Sequence, residues 1–533
     1  MKNIKYIESN FKKIKDKNYL KYQNLHKKNF GKLKKELLFE ISNSLNKLHY
    51  KNYSVTQWRI LVGPWLNIVL NIYFYYNFFS QHFSNKNKLK LKSNNKVNFY
   101  PPLDYVNFFK IINIKKNQLY FFKIILNKNK NNKKNKNDFM YFFNHKDYFY
   151  LKILNLFIKK STILLTRSRF LRSQIASIII KSFFRILPLI NLSNYMRVRG
   201  INYNFNKRKK FLDYMNKKNS KIIEFFMNLM PSSYIENFDL YEKIAKENIK
   251  QPKTIYTDTA HLDDDLLKHM MLYWSSTNNK TNIYLGQHGG NHRIHNDYVT
   301  NYNDDYNICT KCFVWGKPLK KKEIRSSSNR LFNLKKNQTN FNKIKFDVCY
   351  VFEAMRENQF QGDFKRNDDY IRSLNTKRFF LKNLKRHFII KPYFDKNRYP
   401  DQLTVNKLSQ MLKIEKNKFK NSKEVIFQSN IIILDYLSTM IFELICLNVP
   451  FIVILDKSHD YFSDIGKNFC KELKRMKLMY NDPKKALRFV DNLKKNKNWW
   501  FTKEHQRKIL KLKKSYAFTS KNHTNDWYKG LIK

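Results

Sequence analysis

Over the last half of the chain, short apolar runs alternate with amphipathic ones. Lys253–Asp258, Asn282–Gln287 and Lys311–Trp315 read as buried strands, and Asp263–Trp274 between the first two reads as a helix. Strand, helix and strand in that order predict a parallel sheet. A second set follows. Phe346–Val351, His387–Lys391, Val425–Gln428, Ile431–Asp435 and Pro450–Leu455 are β-rich, while Tyr370–Leu384, Gln402–Glu415 and Ser438–Leu447 carry helical spacing. Each set predicts a doubly wound α/β unit whose ligands bind beyond the carboxyl ends of the strands. The stretch Lys320–Lys345, rich in Lys, Ser and Asn, separates the sets and reads as a linker, so the expected domains are residues 1–330 and 331–533.

The amino-terminal third is predicted to be largely helical. Trp58–Phe79 is nearly long enough to span a bilayer, but Arg59, Pro64, Asn67, Asn71 and Asn77 favour a buried core helix. Phe170–Leu192 mixes Arg172, Lys181 and Arg185 with Ile and Phe, as an interfacial helix does; a helix packed on the core is the alternative. Lys/Asn tracts at Ser84–Asn98 and Asn127–Asp138 have neither period and read as solvated loops inserted into the larger domain.

At 533 residues the chain exceeds the roughly 250–300 at which single cores stop growing, which agrees with two domains. Its 42% hydrophobic content excludes a disordered chain. The formal net charge of +63 suits nucleic acid, anionic lipid or phosphorylated small molecules alike. Because the excess is nearly all Lys, travelling with Asn, Ile, Tyr and Phe, most of it reads as solvated surface. No recognised nucleic-acid module is present, so no specific nucleic-acid partner is expected. Five cysteines form no disulfide framework, and the lone Cys309-x-x-Cys312 lacks the other two ligands of a structural zinc site, so no metal is assigned. The charged start at Met1–Lys17 has no apolar signal core, and a cytoplasmic protein is expected, with peripheral contact to an anionic inner membrane as an option.

Three turns carry candidate chemistry. In the first, the strand Ile431–Asp435 runs through Tyr436-Leu437 into Ser438-Thr439, the start of a helix. Helix starts offer backbone N–H donors and a positive dipole end to a diphosphate, with the Ser438 and Thr439 hydroxyls beside it. Glu443, four residues past Thr439 on the same face, is placed to accept from a ribose diol. The plainer alternative is that Ser438 or Thr439 only caps the helix and Glu443 is a surface residue. In the second turn, Gln287-His288-Gly289-Gly290, the glycines allow positive φ and close backbone approach. His288 there suits a general base toward an acceptor hydroxyl, or a cationic donor to a leaving phosphate, or simply a histidine satisfied in a tight turn. In the third, Ile389-Ile390-Lys391-Pro392-Tyr393 ends a strand on a cation suited to phosphate. Glu353, Arg356 and Asp435 complete the candidates on that edge.

Two doubly wound Rossmann-like domains facing a cleft, behind a helical amino-terminal region, make the GT-B arrangement. The three turns, in this order, resemble the motifs of the glycerophosphotransferases that use CDP-glycerol and of capsule-sugar transferases. That resemblance implies a catalytic role for His288 and donor-phosphate contacts at Ser438 and Thr439. The stretch Trp58-Arg59-Ile60-Leu61-Val62-Gly63-Pro64-Trp65-Leu66, with Ile255-Tyr256-Thr257, Gly286 to Gly290 and Val314-Trp315-Gly316, is similar to a transferase family of bacterial surface-carbohydrate loci. The implied activity is glycosyl transfer from a nucleotide-activated sugar, the only co-substrate and no further cofactor, to a polysaccharide or lipopolysaccharide acceptor. Tyr393 stands where the glycerophosphotransferases have a second histidine, which favours glycosyl over glycerophosphoryl transfer, and Leu437 stands where they have serine, which removes one hydroxyl donor from the phosphate turn.

Overall fold

The computed structural model describes residues 16–84, 100–112, 117, 121, 135–215, 220–295, 302–336, 344–352, 367–392, 394–395, 399–400, 410, 412, 418, 424–455, 462–493 and 498–532. It divides into two compact units. Met1–Gly286 and Asn301–Cys312 belong to the first, and Gln287–Thr300, Phe313–Gln359 and Lys365–Lys533 to the second.

The first unit opens on two long helices, α1 (Asp16–His49) and α2 (Val55–Ser84). Trp58, Leu61, Trp65, Leu66, Val69 and Ile72 of α2 are all fully buried, so this helix is apolar on every side because it lies in the core. Several of its polar atoms are satisfied there. The Trp65 Nε1 donates to Leu229 O at 2.9 Å, the Trp58 Nε1 to Asn46 Oδ1 at 2.8 Å, and Lys34 Nζ to Asn67 Oδ1 at 3.1 Å. Asp304 pairs with Lys34 and lies 3.7 Å from Arg59 Nε. Among the described residues no helix is long and apolar enough to cross a membrane.

Next come α3 (His145–Phe157), β1 (Ile163–Thr166), α4 (Arg172–Lys181), β2 (Ile186–Pro188), β3 (Thr254–Thr257), α5 (Asp265–Ser276), β4 (Asn282–Gly286) and β5 (Lys311–Val314), which runs from the first unit into the second, where β6 (Glu323–Arg325) follows. The six strands form one sheet in the order β6-β5-β4-β3-β1-β2. β1 is parallel to β2 and β3, and β3 to β4, in the registers Ile163↔Ile186, Thr166↔Thr257 and Thr257↔Leu285. Helix α5 starts where Asp264 Oδ1 accepts from Leu267 N at 3.1 Å, the carboxylate capping an otherwise unpaired donor.

The second unit contains α6 (Asn329–Lys336), β7 (Phe346–Val351), α7 (Asn367–Asn383), β8 (Phe388–Lys391), β9 (Ser429–Leu434), α8 (Thr439–Leu447), β10 (Phe451–Ile454) and β11 (Met479–Tyr480). Its sheet runs β8-β7-β9-β10-β11, all parallel. Successive residues serve opposite faces. Cys349, Val351, Ile432, Leu434 and Val453 join one buried cluster, while Val348, Tyr350, Ile431, Ile433 and Ile452 join the other. Such strands, buried on both faces, are the doubly wound pattern expected from their continuous apolar runs.

Four expectations change. Val425–Gln428 is not a strand but a helical turn, Glu424–Phe427, because a short apolar run without turn signals fits either period. Phe170–Leu192 is not one interfacial helix; it is α4, a tight turn and β2. The tract Asn127–Asp138 ends in a short strand, Lys136–Asn137, paired with Asn202–Tyr203. The polar stretch Lys320–Lys345 is not a bare linker, since it holds β6 and α6. Its serines are buried: Ser328 N donates to Phe518 O at 3.0 Å, and Ser327 Oγ lies 2.7 Å from His523 Nδ1. The helix expected at Gln402–Glu415 and most of Ser84–Asn98 lie outside the described residues.

Candidate functional site

In the second unit, β7 brings Val351 level with Lys391 of β8 and with Leu434 of β9. Lys391 and Asp435 therefore stand on the same carboxyl edge, two strands apart, or roughly 9–10 Å at the usual strand spacing. Asp435 is buried and ion-paired with the equally buried Lys377 of α7. The Lys377 ammonium also lies over the Phe352 ring, 5.2 Å from its centroid. Lys391 is buried at the strand end, and its carbonyl accepts from Phe352 N at 3.0 Å.

Beyond Asp435 the chain turns into α8. Ser438, in extended conformation, is the N-cap and its Oγ accepts from Met440 N at 3.2 Å. The helix ends at Asn448, whose left-handed φ of 55° suits asparagine, and whose side chain is held by Trp500 and Gln506. Glu443 is not a surface residue: it is buried, and its Oε1 accepts from Arg330 Nε of α6 at 2.7 Å. The ribose-binding expectation for Glu443 must therefore accommodate an arginine already on that carboxylate.

The Gln287-His288-Gly289-Gly290 turn belongs to this same unit and is bonded to the start of α8. Gly290 N donates to Thr439 Oγ1 at 3.0 Å. A Cβ on Gly290 would stand 2.1 Å from the Phe442 ring and 3.0 Å from Thr439 Cα, so only glycine fits. Positive φ is not the reason. Gly290 has φ −65°, and the expected left-handed glycine is replaced by a requirement for close approach. Gln287 is buried and braces the turn: its Nε2 donates to Gly289 O at 3.0 Å, and its Oε1 accepts from Trp315 N at 2.9 Å. His288 is half-buried, with its ring centroid 4.2 Å from that of His292. Next to it Arg293 forms a buried ion pair with Glu323 at 2.8 Å, which anchors the helical turn Asn291–Ile294.

The first unit presents its own carboxyl edge. Asp258 follows β3, and its Oδ1 accepts from the Tyr256 hydroxyl at 2.6 Å. Burial pushes the Asp258 carboxyl up to about 7, against the partial opposition of the Tyr256 hydrogen bond and the Arg169 charge. Gly286 leaves the room for this pair, because a Cβ there would be 2.0 Å from Asp258 Oδ1. After β1, Arg167 and Arg169 both adopt left-handed backbone, φ 44° and 56°, a conformation that side chains other than Gly and Asn rarely take. The Arg167 guanidinium is ion-paired with Asp263 and bonded to Asn191 and Ser193. His261 Nε2 lies 2.9 Å from the buried Asp305.

Of the residues singled out in the sequence, the second unit thus assembles Gln287, Gly289 and Gly290 with Thr439 by direct contact. Ser438 and Glu443 lie on the same helix, and Lys391 and Asp435 on the same sheet edge. Glu353, Arg356 and Tyr393 lie outside the described residues. Sequence reasoning missed Arg330 and Lys377, which carry no local signal. It also missed the raised pKa of Asp258, although an acidic residue closing a buried strand was readable.

A parallel sheet whose edge gathers a braced histidine turn, a helix start and buried cations defines an α/β protein with an edge suited to an anion. Residues 12–531 match the LIC12162 family transferase, and the chain belongs to that family. No curated protein matches it. Among solved structures, a glycosyltransferase from Rickettsia africae ESF-5 is similar at 16% identity and TM-score 0.34, over 70% of this chain and 99% of that one. The wall teichoic acid polymerase TagF is similar at 11% identity and TM-score 0.32, over 80% of this chain and 97% of its own. A TagF variant soaked with CDPG gives the same values.

Proposed function

We propose that this transferase is a GT-B-type glycosyltransferase that moves a sugar from a nucleotide-activated donor to a cell-surface polysaccharide or lipopolysaccharide acceptor. The observation that supports it most is the Gly290 N to Thr439 Oγ1 bond, which joins the histidine turn to the helix start suited to a diphosphate. In this reading residues 331–533 hold the donor. The Ser438 and Thr439 hydroxyls keep their O–H groups for phosphate oxygens, because in the contacts described each uses only its oxygen as acceptor. Lys391 adds positive charge on the same edge. The acceptor hydroxyl loses its proton to His288 as its oxygen bonds to the sugar carbon. The bond from that carbon to the nucleotide phosphate breaks, and the helix start stabilises the departing charge.

A thermal-shift screen of the full chain against CMP, CDP, UDP, GDP, their sugars and CDP-glycerol tests the donor side. Stabilisation by one nucleotide and its sugars, lost in the Ser438→Ala, Thr439→Ala double variant, is the expected result. Stabilisation by CDP-glycerol and by no nucleotide sugar would replace this reading with glycerophosphoryl transfer.

A further inference from the structure

The first unit carries an apolar and cationic surface far richer than its fold requires, on the amino edge of β1 and β2. Helix α3 is apolar on two sides. Leu151, Leu154 and Ile158 face the core, whereas Phe149, Ile153, Leu156 and Phe157 form an outer stripe, with Phe149 66% and Leu156 76% exposed. The turn from α4 to β2 adds Phe183 and Phe184, 88% and 60% exposed. These two patches adjoin. The segment after α3 closes through Thr162 N to Lys159 O, and Ile163 N donates to Arg185 O at 2.7 Å, directly beside Phe184.

The Phe183-Phe184 turn is also strained. Both residues are left-handed, with φ 47° and 59°, which bulky side chains avoid. The surrounding bonds impose that shape: Phe184 N donates to Ile179 O at 3.1 Å, and Ser182 Oγ accepts from Ile186 N at 3.1 Å. Two aromatic rings are thus held in water by a rigid turn that Gly or Asn would form more easily. Strain of this kind, retained where the surroundings enforce it, points to a use.

Charge identifies the occupant. Residues 139–185 contain nine Lys or Arg and a single acid, Asp147. Lys159, Lys160, Lys181 and Arg185 are exposed and flank the rings. A second copy of a chain of net charge +63 is repelled from such a face, whereas aromatic rings amid basic side chains match the headgroup region of an acidic bilayer. We propose that this surface docks the protein peripherally on an anionic lipid bilayer, with Phe183, Phe184 and the outer stripe of α3 entering the interface. The proposal is independent of the reaction assigned above.

Flotation of the full chain with vesicles of equimolar phosphatidylglycerol and phosphatidylcholine, and of phosphatidylcholine alone, tests it. Binding to the acidic vesicles only is expected. Phe183→Gly with Phe184→Asn should lower partitioning on the order of tenfold while its melting midpoint stays level or rises, since the turn relaxes. Phe149→Ser with Phe157→Ser should lower it similarly, and Leu510→Ser, exposed in the second unit, should not. Undiminished partitioning of both aromatic pairs would overturn the proposal. So would equal binding to neutral vesicles, or a dimer in light scattering that these substitutions dissociate.

Discussion

The two carboxyl edges share a parallel topology but handle buried charge in opposite ways. On the second sheet each buried carboxylate has its own cation, Lys377 for Asp435 and Arg330 for Glu443. With those carboxylates neutralised, the helix start on this edge suits an anion. On the first sheet Asp258 is buried against a tyrosine hydroxyl, and burial rather than a counter-ion decides its state, holding a proton close to neutrality. One edge pairs its buried carboxylates with cations and the other holds its carboxyl by burial, and the carbonyl-end position of a strand alone specifies neither.

The strongest test of this contrast is His288→Ala. Transfer should fall roughly a hundredfold to ten-thousandfold, as for loss of a general base, with the melting midpoint unchanged. Full turnover in the variant removes His288 from the chemistry.

Lys377→Met should destabilise the second unit by about 3–5 kcal/mol in urea titration, because it strands a buried carboxylate. Lys377→Met with Asp435→Leu should recover most of that loss. If the single variant is as stable as wild type, the neutralised-edge account fails.

For Asp258 the sign is opposite to that of a salt-bridged carboxylate. Its folded pKa is raised from 3.8 to about 7, so the folded protein keeps a proton that the unfolded chain has released. The contribution of Asp258 to stability therefore declines as pH rises from about 4 to about 7 and levels off above that. Asp104 and Asp264, pushed by burial to about 6, decline in the same sense, whereas His49, His269 and His523, held by burial well below 6.5, contribute stability that rises with pH toward that value. Asp258→Asn should remove its own contribution, so the melting midpoint of wild type minus that of the variant should fall from about pH 4 to about pH 7, and a difference that does not vary with pH would assign the proton elsewhere. The smallest effect is expected from Ser438→Ala, about 1 kcal/mol from the lost cap, together with weaker nucleotide binding.

Much of the scaffold was readable because the second sheet is buried on both faces. Phe346–Val351 and the runs ending in Lys391, Leu434 and Ile454 are continuous apolar segments that fit a central parallel strand. β1 and β2 escaped notice because four and three residues between basic stretches give too little period to count. β6 was hidden by polar residues whose partners lie far along the chain, as with Ser328 and Phe518. The candidate site divides the same way. The Gln-His-Gly-Gly turn announces itself by composition, but the reason for its second glycine is Phe442, 152 residues later, and no local pattern could reveal that neighbour. The partners of Asp435 and Glu443 are equally remote.

Helix α2 bears on how relatives of this chain should be compared. The stretch from Trp58 to Leu66 is its most recognisable run, yet its two tryptophans are fully buried and their ring nitrogens are spent on Asn46 and Leu229. The side chains of such a segment answer to each other and not to a substrate, so it constrains the frame and leaves the chemistry open. Subgroups sharing that run but differing at Gly290, Thr439 or Asp258 are therefore the natural places to look for altered chemistry on an inherited frame.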